Sequence, residues 1–268
     1  MNKLLLLIKF ELKTSKKQIL GWTIGLSSIM ALYMLMFEYV REIGISKLEA
    51  FPKELLQLFS IDSLNIMDNY TSYYGMLLTI ILVIACVFVS IFGSNLIRNE
   101  EKTKSIEYKA TLNISRSNIY LSKLITLIFS IIILLLCINI VAIIIGYIMN
   151  LESFNINECI NIALYTSILP MFFGLISFSL AGISYKYGSS NICSAIVAFT
   201  YLTGYFTTFL EKDLFNNIKY LFPFQIFNSN EGIILDNTNI LVLCSYLIIS
   251  IIIVIIGHIS YNKRNFNI

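Results

Sequence analysis

The sequence predicts an all-α, polytopic membrane protein with six membrane-spanning helices. Two observations lead to this fold class: the chain is unusually apolar, and its apolar residues fall into long runs. Of the 268 residues, 57% are hydrophobic and 13% are charged, and the mean hydropathy is +0.79. A soluble domain carries about 45–50% apolar and about 25% charged residues. Because a soluble globule must cover itself with polar surface, lipid is the natural solvent for the excess. Residues 1–268 are therefore predicted to form a single transmembrane domain.

Six apolar stretches are long enough to be membrane spans, since a spanning helix needs about 20 mostly apolar residues. The third is long enough to tilt or to project from the bilayer. The fourth and fifth are joined only by Lys186–Ser190, which predicts a tight helical hairpin. The stretches are Ile19–Tyr39, Tyr74–Ile97, Leu121–Met149, Ile162–Tyr185, Asn191–Leu210 and Ile240–Tyr261.

Basic residues are divided unevenly between the two sides of these spans. The N-terminal segment, the second and fourth connections and the C-terminal tail, together with Lys123 just after the second connection, hold 14 of the 19 Lys and Arg residues, and the other connections hold 5. Cytoplasmic loops carry an excess of Lys and Arg. Both termini are therefore predicted in the cytoplasm, with Lys16 and Arg116 facing inward and Lys53 and Lys219 facing outward.

The N-terminal segment, residues 1–18, is amphipathic. Its first apolar run is shorter than the ~7–15 residues of a signal-peptide core, and charged residues interrupt it. Apolar side chains share one helical face and lysines share another, which predicts an interfacial helix leading into the first span. The faces are Leu5, Ile8 and Leu12 against Lys9, Lys13 and Lys16.

Polar chemistry is sparse within the spans, which lack Asp, Glu, Lys and Arg near their centres. This disfavours a proton-coupled carrier or a charge-lined channel. His258, near the cytoplasmic end of the last span, is interpreted as an interface residue. The cysteines show neither metal-ligand nor disulfide spacing, and the sequence lacks His-Glu-x-x-His. The sequence therefore predicts a chain that is not an enzyme, with no metal, no cofactor and no nucleic-acid partner.

Two connections are long. The outer one, residues 40–73, has a helical pattern around Pro52 and is interpreted as a helix on the outer surface or over the bundle, with a gate or substrate-contacting element as the alternative. The cytoplasmic one, residues 98–122, mixes charges of both signs with Ile106, Tyr108 and Leu112. Such a segment suits docking of a soluble partner; the alternatives are a solvated loop or local ion pairs that fix its own fold.

The cytoplasmic segment resembles the coupling region of ABC-2-type transporter permeases. In that family two acidic residues precede a Gly-Thr-x-Glu-like turn, a Leu-rich stretch, Pro-x-Ser-Arg and a Lys that opens the third span. Lys104 stands where Gly is usual, and Asn113 stands where Pro is usual. The matching residues are Glu100, Glu101, Ser105, Glu107, Leu112, Ser115, Arg116 and Lys123.

Three other segments resemble the same family. Residues 1–18 resemble its elbow helix, Tyr220–Phe224 with Phe227 resemble its aromatic Pro-Phe segment, and Tyr261–Asn265 resemble its basic end. The resemblance implies an exporter subunit that moves an amphipathic compound, such as an antibiotic, a peptide or a lipid-like molecule. Because the chain has no Gly-x-x-x-x-Gly-Lys-Ser/Thr, ATP would be hydrolysed by a separate ATP-binding-cassette subunit. The residues expected to couple the two subunits are Glu100, Glu101, Ser105, Glu107 and Arg116.

Small residues recur in the first and fifth spans, where they allow helices to approach closely. The resemblance implies that these spans meet across a dimer, either of two copies or with a similar permease; packing within one chain is the alternative. The small residues are Gly21, Gly25, Ser190, Ser194 and Ala198.

The sequence thus predicts an export permease in the plasma membrane of a bacterium. A membrane enzyme, an ATP-independent carrier, and a membrane-bound sensor or immunity protein are the alternatives. The isolated chain is not expected to hydrolyse ATP. Charge reversal at Glu101 or Glu107 is expected to weaken coupling without changing membrane insertion, whereas Glu152 and Glu158 should tolerate it.

Overall fold

The structure, a computed structural model, describes residues 3–41, 69–105, 114–149, 154–207, 221–227 and 237–264. In these ranges the chain is helical, with turns between helices and no β-strand. The all-α prediction is therefore confirmed for this part of the chain. The helices are α1 (Lys3–Leu35), α2 (Tyr70–Lys102), α3 (Arg116–Met149), α4 (Ile156–Thr166), α5 (Ile168–Ile183), α6 (Ser190–Thr207), α7 (Pro223–Ile226) and α8 (Asn237–Lys263).

Five helical segments within the described ranges are long and apolar enough to cross a membrane: α1, α2, α3, α4 together with α5, and α8. They correspond to five of the six predicted spans. The predicted fifth span is α6, which has 18 residues and several Ser, Thr and Tyr side chains, and it is not among the five. These five candidate spans support a multi-pass membrane protein, while the count of six spans and the orientation of the termini stay predictions.

The predicted N-terminal interfacial helix is not a separate element. Residues 3–35 form one continuous helix, so residues 3–18 run directly into the first predicted span. No proline or glycine interrupts residues 3–20, and nothing else in that stretch forces a bend. The position of residues 1–18 at a membrane interface stays a prediction.

The predicted fourth span is broken near its start. Helix α4 ends at Thr166 and α5 begins at Ile168, with Ser167 between them. Pro170 lies in the first turn of α5, where a missing backbone N–H is tolerated, but it cannot donate to the carbonyl of Thr166. The proline therefore explains why one apolar run gives two helices.

Helix α2 lies at the centre of the bundle. It packs extensively against α5 and α6, while α1 packs along α3 and α8 packs along α5. The helices α2 and α5 meet closely at two glycines, because a Cβ atom on Gly93 would lie 2.9 Å from the carbonyl oxygen of Gly174. The predicted hairpin between α5 and α6 has a short turn, but α6 packs mainly on α2 rather than on α5.

Hydrogen bonds between α2 and the start of α6 fix that arrangement. Ser94 donates to the carbonyl of Gly188, and Ser190 donates to Asn95 Oδ1 at 2.7 Å. On the other side of α6, the aromatic Pro-Phe segment forms α7, and Phe224 stacks on Phe173 with ring centroids 5.3 Å apart. The short helix α7 thus belongs to a second apolar cluster shared by α5, α6 and α8.

Candidate functional site

Five helix ends meet at one end of the bundle: the N-terminal parts of α1 and α3 and the C-terminal ends of α2, α5 and α8. Here we call this the charged end, comprising residue 11 and residues 96–105, 114–123, 181–188 and 258–264. It gathers the connections that the basic-residue rule assigns to the cytoplasm.

A buried lysine joins three helices at the charged end. The Nζ atom of Lys123 lies 2.6 Å from Glu100 Oε1 and 3.5 Å from Glu11 Oε1, and it also donates to the carbonyl of Leu96. The Lys123 side chain is 1% exposed. Because a buried charge is costly unless it is paired and hydrogen-bonded, these contacts hold α1, α2 and α3 in one arrangement.

A second ion pair joins α2, α5 and the end of α8. Arg264 contacts the carboxylate of Glu101, whose side chain is 1% exposed, and also donates to the carbonyl of Ala181 at 2.8 Å. A cation at the carbonyl end of α5 is favourable because the helix dipole is negative there. Burial lowers the pKa of the Arg264 guanidinium below its usual value, yet an arginine starts so high that it stays charged at neutral pH.

Contacts between α3 and α8 complete the charged end. The guanidinium of Arg116 donates to the backbone carbonyl of Arg264 at 2.8 Å, just past the last turn of α8. One turn deeper, Ser117 Oγ lies 2.7 Å from His258 Nε2. His258 thus lies at a helix–helix contact. Every helix end at this site is joined to at least one other by a charged or polar side chain.

The backbone at the ends of α2 and α3 shows why the segment turns where it does. Thr103 caps α2, and Lys104 follows with a φ of 57°, in the left-handed region that favours glycine. This is the position where the resembling family usually has Gly. At the start of α3, Ser115 Oγ accepts from the N–H of Asn118 at 3.3 Å, as an N-cap does.

A cavity of about 490 Å³ lies between α1, α2 and α3 next to Lys123. Its lining is mixed: apolar and aromatic side chains cover part of it, and amides, hydroxyls and the Glu11–Lys123–Glu100 cluster cover the rest. The described lining residues are Leu7, Phe10, Glu11, Thr14, Ser15, Gln18, Phe92, Asn95, Leu96, Asn99, Glu100, Thr103, Ser105, Ile114 and Lys123.

The residues predicted to couple the chain to an ATPase are placed in two ways. Glu100 and Glu101 are buried, 8% and 5% exposed, and form the internal ion pairs described above. Ser105 and Arg116 are exposed, and Glu107 lies outside the described residues. Ser105 and Arg116 thus lie on the surface, whereas the carboxylates of Glu100 and Glu101 form ion pairs with cations of the same chain. The coupling role of the set stays a prediction.

The expected effect of reversing Glu101 changes as a consequence. A lysine at position 101 would put two cations against each other in a buried site, because Arg264 is the partner. We therefore expect Glu101→Lys to disturb folding as well as any coupling. Glu107→Lys is still expected to weaken coupling without changing membrane insertion.

The small residues predicted to pack a dimer fall into two groups, those exposed on the surface and those that pack within the chain. Gly21 and Gly25 are exposed, and a Cβ atom on either would meet nothing within 4 Å. Ala198 is exposed and Ser194 partly buried, whereas Ser190 is bonded to Asn95 within the chain. Gly21 and Gly25 are therefore open to another helix, and Ser190 serves the packing of α6 on α2. Dimer formation stays a prediction.

Three important residues were missed from sequence: Glu11, Lys123 as an ion-pair partner, and Arg264. A signal existed for Lys123, because it is the one charged residue between Arg116 and Met149. An isolated charge in an apolar helix is a reason to expect a buried partner of opposite sign. Across the described ranges, no group of three or more His, Cys, Asp and Glu side chains is placed to hold a metal ion.

The chain from residue 8 to residue 262 matches the family described as "Multidrug efflux system permease Rv1217c, C-terminal domain". That match includes all the helices described above apart from the first residues of α1 and the last of α8. No curated protein and no solved structure matches the chain.

Proposed function

The chain belongs to the family of the multidrug efflux system permease Rv1217c, C-terminal domain, and on this premise we propose that it is the membrane-spanning subunit of an ATP-driven, ABC-2-type exporter. Membership supports a permease that moves compounds out of the cell and disfavours an enzyme. The proposal adds the energy source, a separate ATP-binding-cassette subunit. It also adds the substrate class, an amphipathic antibiotic, peptide or lipid-like compound.

The observation that supports ATP coupling best is the way the charged end is tied together. The last turn of α2, where the coupling segment begins, is joined through Glu100 and Glu101 to α1, α3, α5 and the end of α8, with Lys123 and Arg264 as the cations. A soluble subunit that pushes on this segment would therefore move several helices together. Such a cycle requires that the partner contacts the two states of the bundle differently.

The remaining parts of the proposal concern topology and assembly. We propose six spans in the plasma membrane of a bacterium, with the charged end in the cytoplasm, because the charged end contains the basic connections. Two permeases, identical or similar, would pair with two ATPase subunits. The open groove at Gly21 and Gly25 is the surface that we assign to the second permease.

Reconstitution tests the energy source. The chain would be placed in proteoliposomes with an ATP-binding-cassette ATPase identified by a P-loop in a neighbouring reading frame, and movement of a fluorescent amphipathic compound into inverted vesicles would be followed. We expect transport only with ATP and with both subunits, and none with a partner whose P-loop lysine is replaced. The purified chain alone should not hydrolyse ATP.

Two outcomes would contradict this proposal. Transport by the chain alone, driven by an ion gradient, would make it an ATP-independent carrier. Specific binding of a compound without any transport would favour a membrane-bound sensor or immunity protein. Glu107→Lys, which lies on the coupling segment, should lower ATP-driven transport, whereas Glu158→Lys at the start of α4 should not.

A further inference from the structure

The cavity at the charged end has the chemistry of a binding site for a lipophilic cation. We propose that it binds compounds that carry one delocalised positive charge on an aromatic or apolar body. This inference rests on the proposed function, since it specifies the class of amphipathic substrate that the exporter takes. It concerns the cavity between α1, α2 and α3, which the proposed function leaves unassigned.

The sign of the charge follows from the described residues that line the cavity. Three of them are charged, Glu11, Glu100 and Lys123, and together they carry one negative charge. The ammonium of Lys123 is 1% exposed and lies closest to Glu100, so it is not presented to a ligand. An anion would therefore meet carboxylates first, and a cation would be attracted.

Of the two carboxylates, Glu11 is the one less closely paired with Lys123. Its nearest oxygen lies 3.5 Å from Lys123 Nζ, compared with 2.6 Å for Glu100. The longer distance marks the weaker of the two ion pairs, because Coulomb energy falls with separation. A cation bound beside Glu11 would meet the carboxylate that lies farther from Lys123, while the Glu100–Lys123 pair stays intact.

The apolar part of the lining fits the body of such a compound. Phe10, Phe92, Leu7, Leu96 and Ile114 line the cavity together with the charged cluster. Aromatic rings attract cations through their faces. A volume of about 490 Å³ is within the range of pockets that hold drug-sized molecules, about 300–1,000 Å³.

The cavity is reached along one side of α1. Phe10, Thr14 and Gln18 line it and are exposed, and their spacing of four residues places them on one face of the helix. Residues 1–18 are predicted to lie at the cytoplasmic membrane interface. An amphipathic cation gathers at that depth, because the anionic inner leaflet attracts positive charge.

A pair of ions of nearly equal size and opposite charge tests the proposal. The full chain, purified into lipid nanodiscs without an ATPase, would be dialysed against radiolabelled tetraphenylphosphonium or tetraphenylborate, with empty nanodiscs as the background. We expect saturable binding of the cation above background and none of the anion. Glu11→Gln should weaken cation binding by about tenfold or more, because it removes a nearby unit charge from a partly buried site.

Matched variants separate this effect from a general loss of charge. Glu38→Gln makes the same change on an exposed glutamate at the opposite end of the first helical segment and should leave binding unchanged. At the exposed Gln18, Gln18→Glu should strengthen cation binding about threefold and Gln18→Lys should weaken it by a similar factor. If Glu11→Gln does not fold, the order of the Gln18 variants decides the question.

Equal binding of the two ions, or an unchanged cation affinity in Glu11→Gln, would overturn the inference. So would Gln18 variants that do not differ. None of these results would affect ATP-driven export of another compound, since the binding measurement uses no partner subunit. Conversely, loss of ATP-driven transport with intact cation binding would overturn the proposed function alone.

Discussion

The two ends of the helical bundle are held together by different chemistry. The charged end relies on buried ion pairs, with Lys123 and Arg264 as the cations. The opposite end relies on neutral tyrosine hydroxyls and on aromatic rings in edge-to-face and tilted contact. Here we call it the tyrosine end, comprising residues 33–41, 69–74, 139–149 and 154–159.

Contacts at the tyrosine end are short and neutral. Tyr70 donates to the carbonyl of Ala142 at 2.7 Å, and Tyr74 donates to Asn139 Oδ1 at 2.6 Å. Tyr73 donates to the carbonyl of Tyr33 at 3.0 Å. These bonds join α2 to α1 and α3 at the end away from the ion pairs.

The difference shows where a conformational change is easier to drive. A neutral hydrogen bond typically contributes about 0.5–1.5 kcal/mol, and because neither partner is charged, a charge on a soluble partner has little means of altering it. A buried ion pair is nearly balanced between desolvation and attraction, so a new charge nearby can tip it. We therefore expect the charged end to move in transport and the tyrosine end to act as the fixed part.

The largest expected effect comes from removing one partner of a buried pair. Arg264→Ala leaves the carboxylate of Glu101 buried opposite nothing, and we expect the free energy of unfolding to fall by about 3–5 kcal/mol. Thermal unfolding in detergent would measure this. Arg41→Ala, at an exposed arginine beyond α1, should change it by less than about 0.5 kcal/mol.

Restoring neutrality sharpens that test. Combining Arg264→Met with Glu101→Leu removes both charges, and we expect the double variant to be more stable than Arg264→Ala by about 2 kcal/mol or more. A double variant as unstable as the single one would mean that Arg264 acts by the hydrogen bonds from its guanidinium to the α5 carbonyls rather than by its ion pair with Glu101.

The second prediction concerns packing at the tyrosine end. A Cβ atom on Gly146 would lie 2.6 Å from the ring of Tyr70 and 2.7 Å from the ring of Phe154. Gly146→Ala should therefore destabilise the fold by about 1–3 kcal/mol, as overpacking does. Gly25→Ala is the control, since its Cβ meets nothing within 4 Å, and it should be neutral or slightly stabilising. An equally tolerant Gly146 would show that the tyrosine end is loosely packed.

A smaller effect is expected from one hydroxyl. Tyr74→Phe keeps the ring but leaves Asn139 Oδ1 without its tyrosine donor, and we expect a loss of about 1–2 kcal/mol. Tyr147→Phe, where the tyrosine is 77% exposed, should change the unfolding free energy by less than about 0.5 kcal/mol. A loss from Tyr74→Phe as large as that from Arg264→Ala would remove the contrast between the two ends.

Much of the fold could be predicted from the sequence, because long apolar runs and the placement of basic residues are local signals. The core of α2 and the end of α3 at Met149 lie where those signals put them, while α3 begins at Arg116, before the predicted Leu121. The break at Ser167 was not predicted, although Pro170 marks it. The inward position of Glu100 and Glu101 was not predicted either, because α2 continues past the apolar run to Lys102 and carries its last turn into the bundle.

The candidate site was only partly predictable for a physical reason. A run of charged residues at the end of a span predicts a solvent-exposed segment. Nothing in the local sequence shows that Glu101 contacts Arg264, which lies 163 residues away. Only the three-dimensional packing of α8 along α5 brings them together. By contrast, the sequence did show which residue stands where ABC-2-type permeases usually have Gly. That residue is Lys104, and its backbone has the left-handed conformation that favours glycine.

The smallest prediction concerns this lysine and tests whether the charged end holds strain that the tyrosine end lacks. Lys104 has a φ of 57°, and in this left-handed region a lysine has a conformational free energy about 1–2 kcal/mol less favourable than that of glycine. A glycine adds freedom to the unfolded chain that costs about 0.5–1 kcal/mol. Lys104→Gly should therefore stabilise the fold by about 0.5–1 kcal/mol.

Two variants isolate the cause of that gain. Lys102→Gly removes the same charge from the last turn of α2, where glycine is unfavourable, and should destabilise by about 0.5–1 kcal/mol. Lys104→Ala removes the charge but keeps the strain, so it should give no gain. Thermal unfolding of the three variants in detergent measures the order. If Lys104→Ala stabilises as much as Lys104→Gly, charge rather than backbone strain is the cause, and the turn after α2 is not strained.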